Sequence, residues 1–296
     1  MKKALVIINP VSGKKKSRTA LFDIAESLCK NNYEVCVKTT LRQGHGIEIA
    51  EKYAKKFDLI VCCGGDGTVN EVVSGVIKSG TDTVIGYIPA GSTNDLASSL
   101  NLETNTKKAI DNMLSKPVSK LDVGMFNDSR YFNYIASFGL FSAVSYKVPQ
   151  NTKNSLGYFA YVLEALKDLS SIKPCHVKIT SKEKTTEGDY IFGTVANSTS
   201  VGGIMHFKAD EVDMNDGLFE IMLVKNPTDP AQLSKIIFSM NASDFSGEMF
   251  EYFHTDKVSF EFEEPIPWSL DGEYQEGSIK SEIENLHSAI TFAGLK

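Results

Sequence analysis

The residues with the most chemistry to offer lie in four short stretches rich in glycine and small hydroxyls. They are Asn9-Pro10-Val11-Ser12-Gly13, Thr39-Thr40 with Gly44-His45-Gly46, Gly64-Gly65-Asp66-Gly67-Thr68-Val69-Asn70-Glu71, and Gly91-Ser92-Thr93-Asn94-Asp95. Glycines just ahead of a helix let backbone N–H groups approach a phosphate closely, and the helix N-terminus favours negative charge. One such turn is ordinary punctuation between a strand and a helix. Four of them point to a nucleotide. Gly64–Glu71 is the most specific, with three glycines in four residues. An acid among them sits badly against phosphate unless a cation bridges the two, so Asp66 is a candidate contact for Mg²⁺ on a nucleotide. The patterns GxxxxGK[ST] and GxGxxG are both absent, since Asn70 stands where the last glycine of the second would be. Lys14, Lys15 and Lys16 read either as a solvated helix start or as phosphate contacts.

The second half carries two acidic groups. Asp213 and Asp216, in Asp210-Glu211-Val212-Asp213-Met214-Asn215-Asp216-Gly217-Leu218, form either a turn before a strand or, with a backbone carbonyl, a hard-cation site. Leu270-Asp271-Gly272-Glu273 reads first as a hairpin turn. Its other reading is a carboxylate pair poised to take a proton from a substrate hydroxyl.

These stretches need elements to hold them. In the first 120 residues, short apolar runs at Ala4–Ile8, Glu34–Lys38, Leu59–Cys63 and Thr83–Ile88 alternate with helical stripes. Leu21, Ile24, Ala25 and Leu28 form one stripe, Ile47, Ala50, Tyr53 and Ala54 a second, and Val69, Val72, Val73 and Val76 a third. That grammar predicts a doubly wound α/β domain, whose ligands bind beyond the carboxyl ends of the strands. Past Pro117, strands follow one another at Val118–Phe126, Tyr131–Ser137, Val177–Thr180, Tyr190–Asn197, Leu218–Val224, Lys257–Phe262 and Ile279–Glu284, with helices at Leu156–Leu169 and Pro230–Met240. This half predicts an antiparallel sheet or sandwich. Ser288–Ala293 is a last strand that fits either domain.

Composition narrows the class. Charged residues make up 23% of 296 and apolar ones 42%, the balance of a globular chain, with a net charge of −6 that argues against a general nucleic-acid binder. The five cysteines have no CxxC spacing, which predicts reduced core thiols in an intracellular compartment. No stretch approaches the ~20 apolar residues of a membrane span, so the expectation is a soluble, cytoplasmic protein, at most peripheral.

In this order, Asn9-Pro10 with Ser12-Gly13, Gly64–Glu71, Gly91–Asp95 and Leu270–Glu273 resemble the diacylglycerol kinase family, and in particular its soluble bacterial branch. The GGDGT stretch alone is shared with NAD kinases and 6-phosphofructokinases; the later Asp-Gly-Glu favours the lipid kinases. The resemblance implies ATP- and Mg²⁺-dependent phosphorylation of a lipid hydroxyl, most readily of diacylglycerol. It implies a catalytic domain over residues 1–121 with the terminal strand at about 286–296, and a β-sandwich substrate domain over 122–285, with ATP in the cleft between them. Carried across, the nucleotide contacts fall on Asn9, Ser12, Gly13, Thr40, Gly64, Gly65, Asp66, Gly67, Thr68, Val69, Asn70, Gly91 and Ser92. Ser92 departs from the commoner Thr but keeps the hydroxyl. The catalytic acids fall on Glu273, Asp271 and Asp66. A structural Mg²⁺ falls on Asp213, Asp216 and the Leu218 carbonyl, and Asp122 falls near its water network.

The lipid has to be met at a membrane surface, for which Leu156–Leu163 is a candidate face, although its apolar spacing also suits a core helix. A homodimer formed through the second domain is compatible with all of this. Two rival functions share the first-half loops: a kinase of a soluble acceptor such as NAD or a sugar phosphate, and a non-catalytic nucleotide-binding regulator.

Overall fold

The computed structural model describes residues 1–140, 173–201, 205–207 and 212–295. The chain divides into two compact units, Met1–Val123 with Ser288–Lys296, and Gly124–His287. The Leu156–Leu169 helix, and with it the Leu156–Leu163 face, lies outside the described residues.

The first unit is α/β. Strands β1 (Lys2–Ile8), β2 (Tyr33–Thr39), β3 (Leu59–Gly64) and β4 (Val84–Pro89) pair in parallel in the order β2-β1-β3-β4. All six residues of β3 are buried, as an inner strand covered on both faces requires. The two faces separate with the two-residue period. Ala4, Val6, Ile8, Leu59, Val61 and Cys63 join one core with Ala20, Ile24 and Leu28 of α1 (Lys16–Lys30). α2 (His45–Tyr53) and α3 (Asp66–Ser79) pack on each other, and the missing side chain of Gly75 allows it. A Cβ there would stand 2.6 Å from the Ala50 Cβ. α4 (Asp95–Ser99) and α5 (Thr106–Ser115) follow β4, and Ala109, Ile110 and Met113 of α5 join the α1 core.

In the second unit strands dominate and pairing is antiparallel. β5 (Val118–Phe126) runs into it from the first and pairs with β6 (Arg130–Phe132). The run Tyr131–Ser137, expected as one strand, is two, β6 and β7 (Ile135–Gly139), interrupted at Asn133-Tyr134. β8 (Cys175–Ser181), β9 (Thr185–Ala196), β10 (Ser200–Val201), β11 (Met205–His206) and β12 (Phe219–Lys225) come next. α6 (Pro230–Ala242), β13 (Phe250–Thr255), β14 (Lys257–Leu270) and β15 (Glu273–Ala293) complete the order. α6 starts where it does because Pro230 needs no N–H partner and the Asp229 side chain accepts from the Ala231 and Gln232 N–H groups.

The pairing closes a ring of four strands. β9 pairs with β8 over Thr185–Tyr190 and with β7 over Phe192–Ala196, while β14 pairs with β8 over Val258–Phe262 and with β7 over Trp268–Leu270. Each long strand changes partner midway, which two flat, separate sheets would not require. Inside sits an aromatic core. Trp268 is fully buried, with Phe126, Phe138, Phe260 and Phe262 at 5.0–6.2 Å between ring centroids. Gly193 belongs to this core by absence, since a Cβ there would stand 2.2 Å from the Phe138 ring. β15 is one long strand that absorbs the two short ones expected at Ile279–Glu284 and Ser288–Ala293, and its Phe292 opposes Ile85 of β4 in parallel.

Candidate functional site

The chain leaves β1 toward β2 on one side and leaves β3 toward β4 on the other, so the sheet's switch point lies between β1 and β3. Ligands of open α/β sheets bind at this place. The loop after β1 carries Asn9–Gly13, and the loop after β3 carries Gly65 and Asp66. They are joined directly: Asn9 N–H donates to the Cys63 carbonyl at 3.0 Å, and Asn9 Nδ2 donates to Thr68 Oγ1 at 3.2 Å. Thr40 is buried, and its N–H donates to the Ile8 carbonyl at 2.9 Å, so the end of β2 is held beside them.

Glycine is required where these loops touch. A Cβ on Gly91 would stand 2.5 Å from the Gly65 Cα, one on Gly13 would strike the Ala90 carbonyl oxygen at 1.9 Å, and one on Gly64 would meet Thr68 at 2.6 Å. Gly13 also has φ +52°, in the left-handed region. The fourth loop is shaped by Asn94, itself left-handed at φ 55°, whose Oδ1 accepts from Gly91 N–H at 2.8 Å. Asn94 thus sets the loop on which Gly91 and exposed Ser92 sit. Val69 is wholly buried and offers the site only its backbone.

Asp66 opens α3, where the first N–H groups have no carbonyl a turn earlier to bond. Its Oδ1 accepts from Leu96 N–H and its Oδ2 from Thr93 Oγ1, both at 3.1 Å. The carboxylate ties the third loop to the fourth and keeps further lone pairs for a cation. Glu71, not singled out by pattern, accepts from Gly44 N–H at 2.6 Å and from Gly46 N–H at 2.8 Å. Those two N–H groups are therefore committed to Glu71, and the glycines after β2 shape the chain rather than face a phosphate. Asp122 is buried and its Oδ1 accepts from Ser288 N–H at 2.6 Å, anchoring the last strand at a left-handed residue (φ 52°).

In the second unit Leu270 pairs with Glu273, and both Asp271 (φ 49°) and Gly272 (φ 80°) are left-handed, so the hairpin reading of Leu270–Glu273 holds. Asp271 is buried. Its Oδ2 accepts from Asn133 N–H at 2.7 Å and Asn133 Nδ2 at 3.1 Å, and its Oδ1 from the N–H groups of Tyr134 (3.1 Å) and Ile135 (3.2 Å). Four donors occupy this carboxylate, which fits an anchor of the turn and not a proton acceptor. Glu273 is different: its side chain is 45% exposed and meets Arg130 Nη2 at 3.2 Å. Of the two acids, Glu273 is the one open to a substrate. Spacing gave no sign of Arg130 or Asn133, both more than 130 residues away in sequence.

The Asp213–Leu218 stretch folds as an Asx turn. Asp213 Oδ1 accepts from Asn215 N–H at 3.0 Å, and Asp216 Oδ1 from Leu218 N–H at 2.9 Å. Among the described residues no three acidic, His or Cys side chains converge as a metal cluster. Asp210 and Glu211 lie outside the described residues. The residues present nonetheless suit a hard cation. Glu220 is 1% exposed, and neither of its carboxylate oxygens has a hydrogen-bond partner among the described residues. Burial first, then the charges of Asp216 and Asp213, push its pKa up to about 8. Asn285 donates to the Leu218 carbonyl at 3.0 Å while its own buried Oδ1 is unpartnered there. Unsatisfied oxygens beside two aspartates are what an oxygen-liganded cation would satisfy.

Comparison with known proteins agrees across the chain. Residues 3–126 match the family model described as diacylglycerol kinase catalytic domain, and residues 135–292 match that described as YegS C-terminal NAD kinase beta sandwich-like domain. A diacylglycerol kinase of Bacillus subtilis is 31% identical over 292 residues, covering 98% of this chain and 95% of its own. One from Staphylococcus saprophyticus is 28% identical, covering 98% and 94%. A crystal structure of a candidate diacylglycerol kinase from Bacillus anthracis superposes with a TM-score of 0.81 at 26% identity, covering 99% and 95%. No helix among the described residues is long and apolar enough to cross a membrane.

Proposed function

Because the chain belongs to the diacylglycerol kinase family, and is therefore a kinase, we propose that it transfers the γ-phosphoryl group of ATP to a lipid hydroxyl, most readily that of diacylglycerol. The observation that carries this reading is the near-contact of Gly65 with Gly91 beside the switch point, where the loops after β3 and β4 meet backbone to backbone, the close approach a polyphosphate site needs. The first unit holds the nucleotide and the second the acceptor.

Phosphoryl transfer asks little covalent chemistry of the protein, so positioning and charge neutralisation do the work. The glycine loops and the start of α3 receive phosphate oxygens. Glu273 accepts the proton of the lipid hydroxyl as its oxygen attacks the γ-phosphorus and the bond to ADP breaks, leaving ADP and a lipid phosphate. Mg²⁺ supplies neutralisation of polyphosphate charge when bound. Asp66 is the residue that would hold it at the nucleotide, and Asp213, Asp216 and the Leu218 carbonyl would hold a structural ion, with Glu220 and Asn285 beside them. The lipid is reached at a membrane surface by peripheral contact.

The test is transfer from γ-labelled ATP to a panel of lipids in mixed micelles, with and without Mg²⁺, and with NAD and a sugar phosphate as soluble acceptors. Label in a lipid supports the reading and names the acceptor. Label only in NAD or the sugar phosphate overturns it while keeping the loop assignments. Asp66→Ala and Glu273→Ala should each abolish transfer in a folded protein, and near-wild-type activity in either would remove its assigned role.

A further inference from the structure

Arg130 grips three consecutive residues of the hairpin that carries Glu273. Its Nη2 donates to Glu273 Oε2 at 3.2 Å, and its Nη1 to the Tyr274 carbonyl and to Gln275 Oε1, both at 2.9 Å. Three residues further along the chain, Asn133 to Ile135 hold the Asp271 carboxylate through their N–H groups. One six-residue segment, Arg130–Ile135, thus clamps the turn on both sides of Gly272. Stability alone is a poor reason for the Arg130 contact, because the pair is partly exposed, at 33% and 45% of the two side chains, and such pairs contribute little. Geometry is the better one. A planar guanidinium fixed at Nη1 by two acceptors has little freedom left at Nη2, so the glutamate it meets is fixed as well.

We infer that Arg130 is a positioning residue for Glu273: it binds Oε2 and so presents Oε1, which takes no hydrogen bond among the described residues, to the acceptor hydroxyl. This rests on the reading of Glu273 as proton acceptor. Lysine keeps the charge but not the fork, so it replaces Arg130 only in part.

The experiment is a cycle of four full-length proteins: wild type, Arg130→Gln, Glu273→Gln and the double variant. kcat and KM for ATP and for diacylglycerol in mixed micelles are measured, with Tm alongside. Arg130→Gln should lower kcat by between about tenfold and about 100-fold, the cost of misplacing a reacting group by about an ångström. KM for ATP should stay within about twofold, since nucleotide binding is not touched. Arg130→Lys should fall between. In the Glu273→Gln background, Arg130→Gln should cost nothing further, because a residue that acts through another has no effect once that other is gone. If the two losses multiply, or if Arg130→Gln leaves kcat unchanged, the positioning role is overturned while Glu273 keeps its own. If Glu273→Gln remains fully active, the proton-acceptor reading fails and the positioning role with it. Should Arg130→Gln not fold, Arg130→Lys in both backgrounds makes the same comparison.

Discussion

A Cβ placed on Gly91 would lie 2.5 Å from the Cα of Gly65, a distance real side chains do not show. The loops after β3 and β4 are therefore packed backbone against backbone. Gly91→Ala must push one of them aside, at a cost of about 1–3 kcal/mol of overpacking. The expected result is a folded protein with a lowered Tm and weakened ATP binding, read by calorimetric titration. Unchanged ATP affinity would remove this contact from the nucleotide site.

The two acids of the hairpin should separate cleanly by experiment. Asp271→Asn keeps the shape but replaces an oxygen that accepts with a nitrogen that cannot, stranding at least one buried N–H. That should cost about 1–3 kcal/mol in urea unfolding. Glu273→Gln, at a half-exposed position, should leave the urea midpoint nearly unchanged and lower lipid phosphorylation to a small residual rate, at least about 100-fold below wild type. The reverse pattern would exchange the roles assigned to them.

Glu220 predicts a pH effect on stability. Its folded pKa, about 8, is raised above the ordinary 4.5. The folded state therefore holds its proton more tightly than the unfolded chain does, so its contribution is complete below about pH 4.5 and is lost as pH rises through about 8. In chelator, wild-type Tm should fall over that window more steeply than that of Glu220→Gln. Parallel curves for the two proteins would mean that Glu220 is solvated or paired.

Trp268 is the chain's one tryptophan and lies at the centre of the ring of strands. Trp268→Ala should cost about 3–5 kcal/mol, the range for emptying a large aromatic site. In the wild type its fluorescence should shift to the red as the second unit unfolds in urea. A red-shifted emission in the native protein would contradict the burial.

Much of the first unit was legible because its signals are local. A buried parallel strand reads as an apolar run, a helix as a stripe, and Gly-Gly-Asp-Gly as a loop whatever surrounds it. The strands expected at Ala4–Ile8, Glu34–Lys38, Leu59–Cys63 and Thr83–Ile88 lie within a residue or two of β1 to β4. The second unit was read less well for the opposite reason. β14 runs from Lys257 to Leu270, but its half beyond Phe262 contains Glu263, Glu264, Pro265 and Pro267, which hide a strand from any pattern of alternation. β13 has no counterpart among the expected strands, because aromatics lie on both of its faces, Tyr252 against Phe207 and Phe253 against the ring's core, and no apolar–polar alternation marks it.

The sequence by itself determined the kinase-like loops, their order and the hairpin at Asp271-Gly272, since each depends on the backbone preferences of a few adjacent residues. Only the tertiary structure decided what those residues do. Asp271 is an anchor because strand pairing brings three N–H groups from 133–135 to it, and Glu71 is an anchor because α3 packs beside the start of α2. Glu273 is open on one oxygen because Arg130 takes the other, and Glu220 meets no hydrogen-bond partner among the described residues because its strand buries it. A carboxylate's role is fixed by which donors reach it. Those donors are brought by chain segments 25 to 143 residues away, along paths that local spacing does not encode.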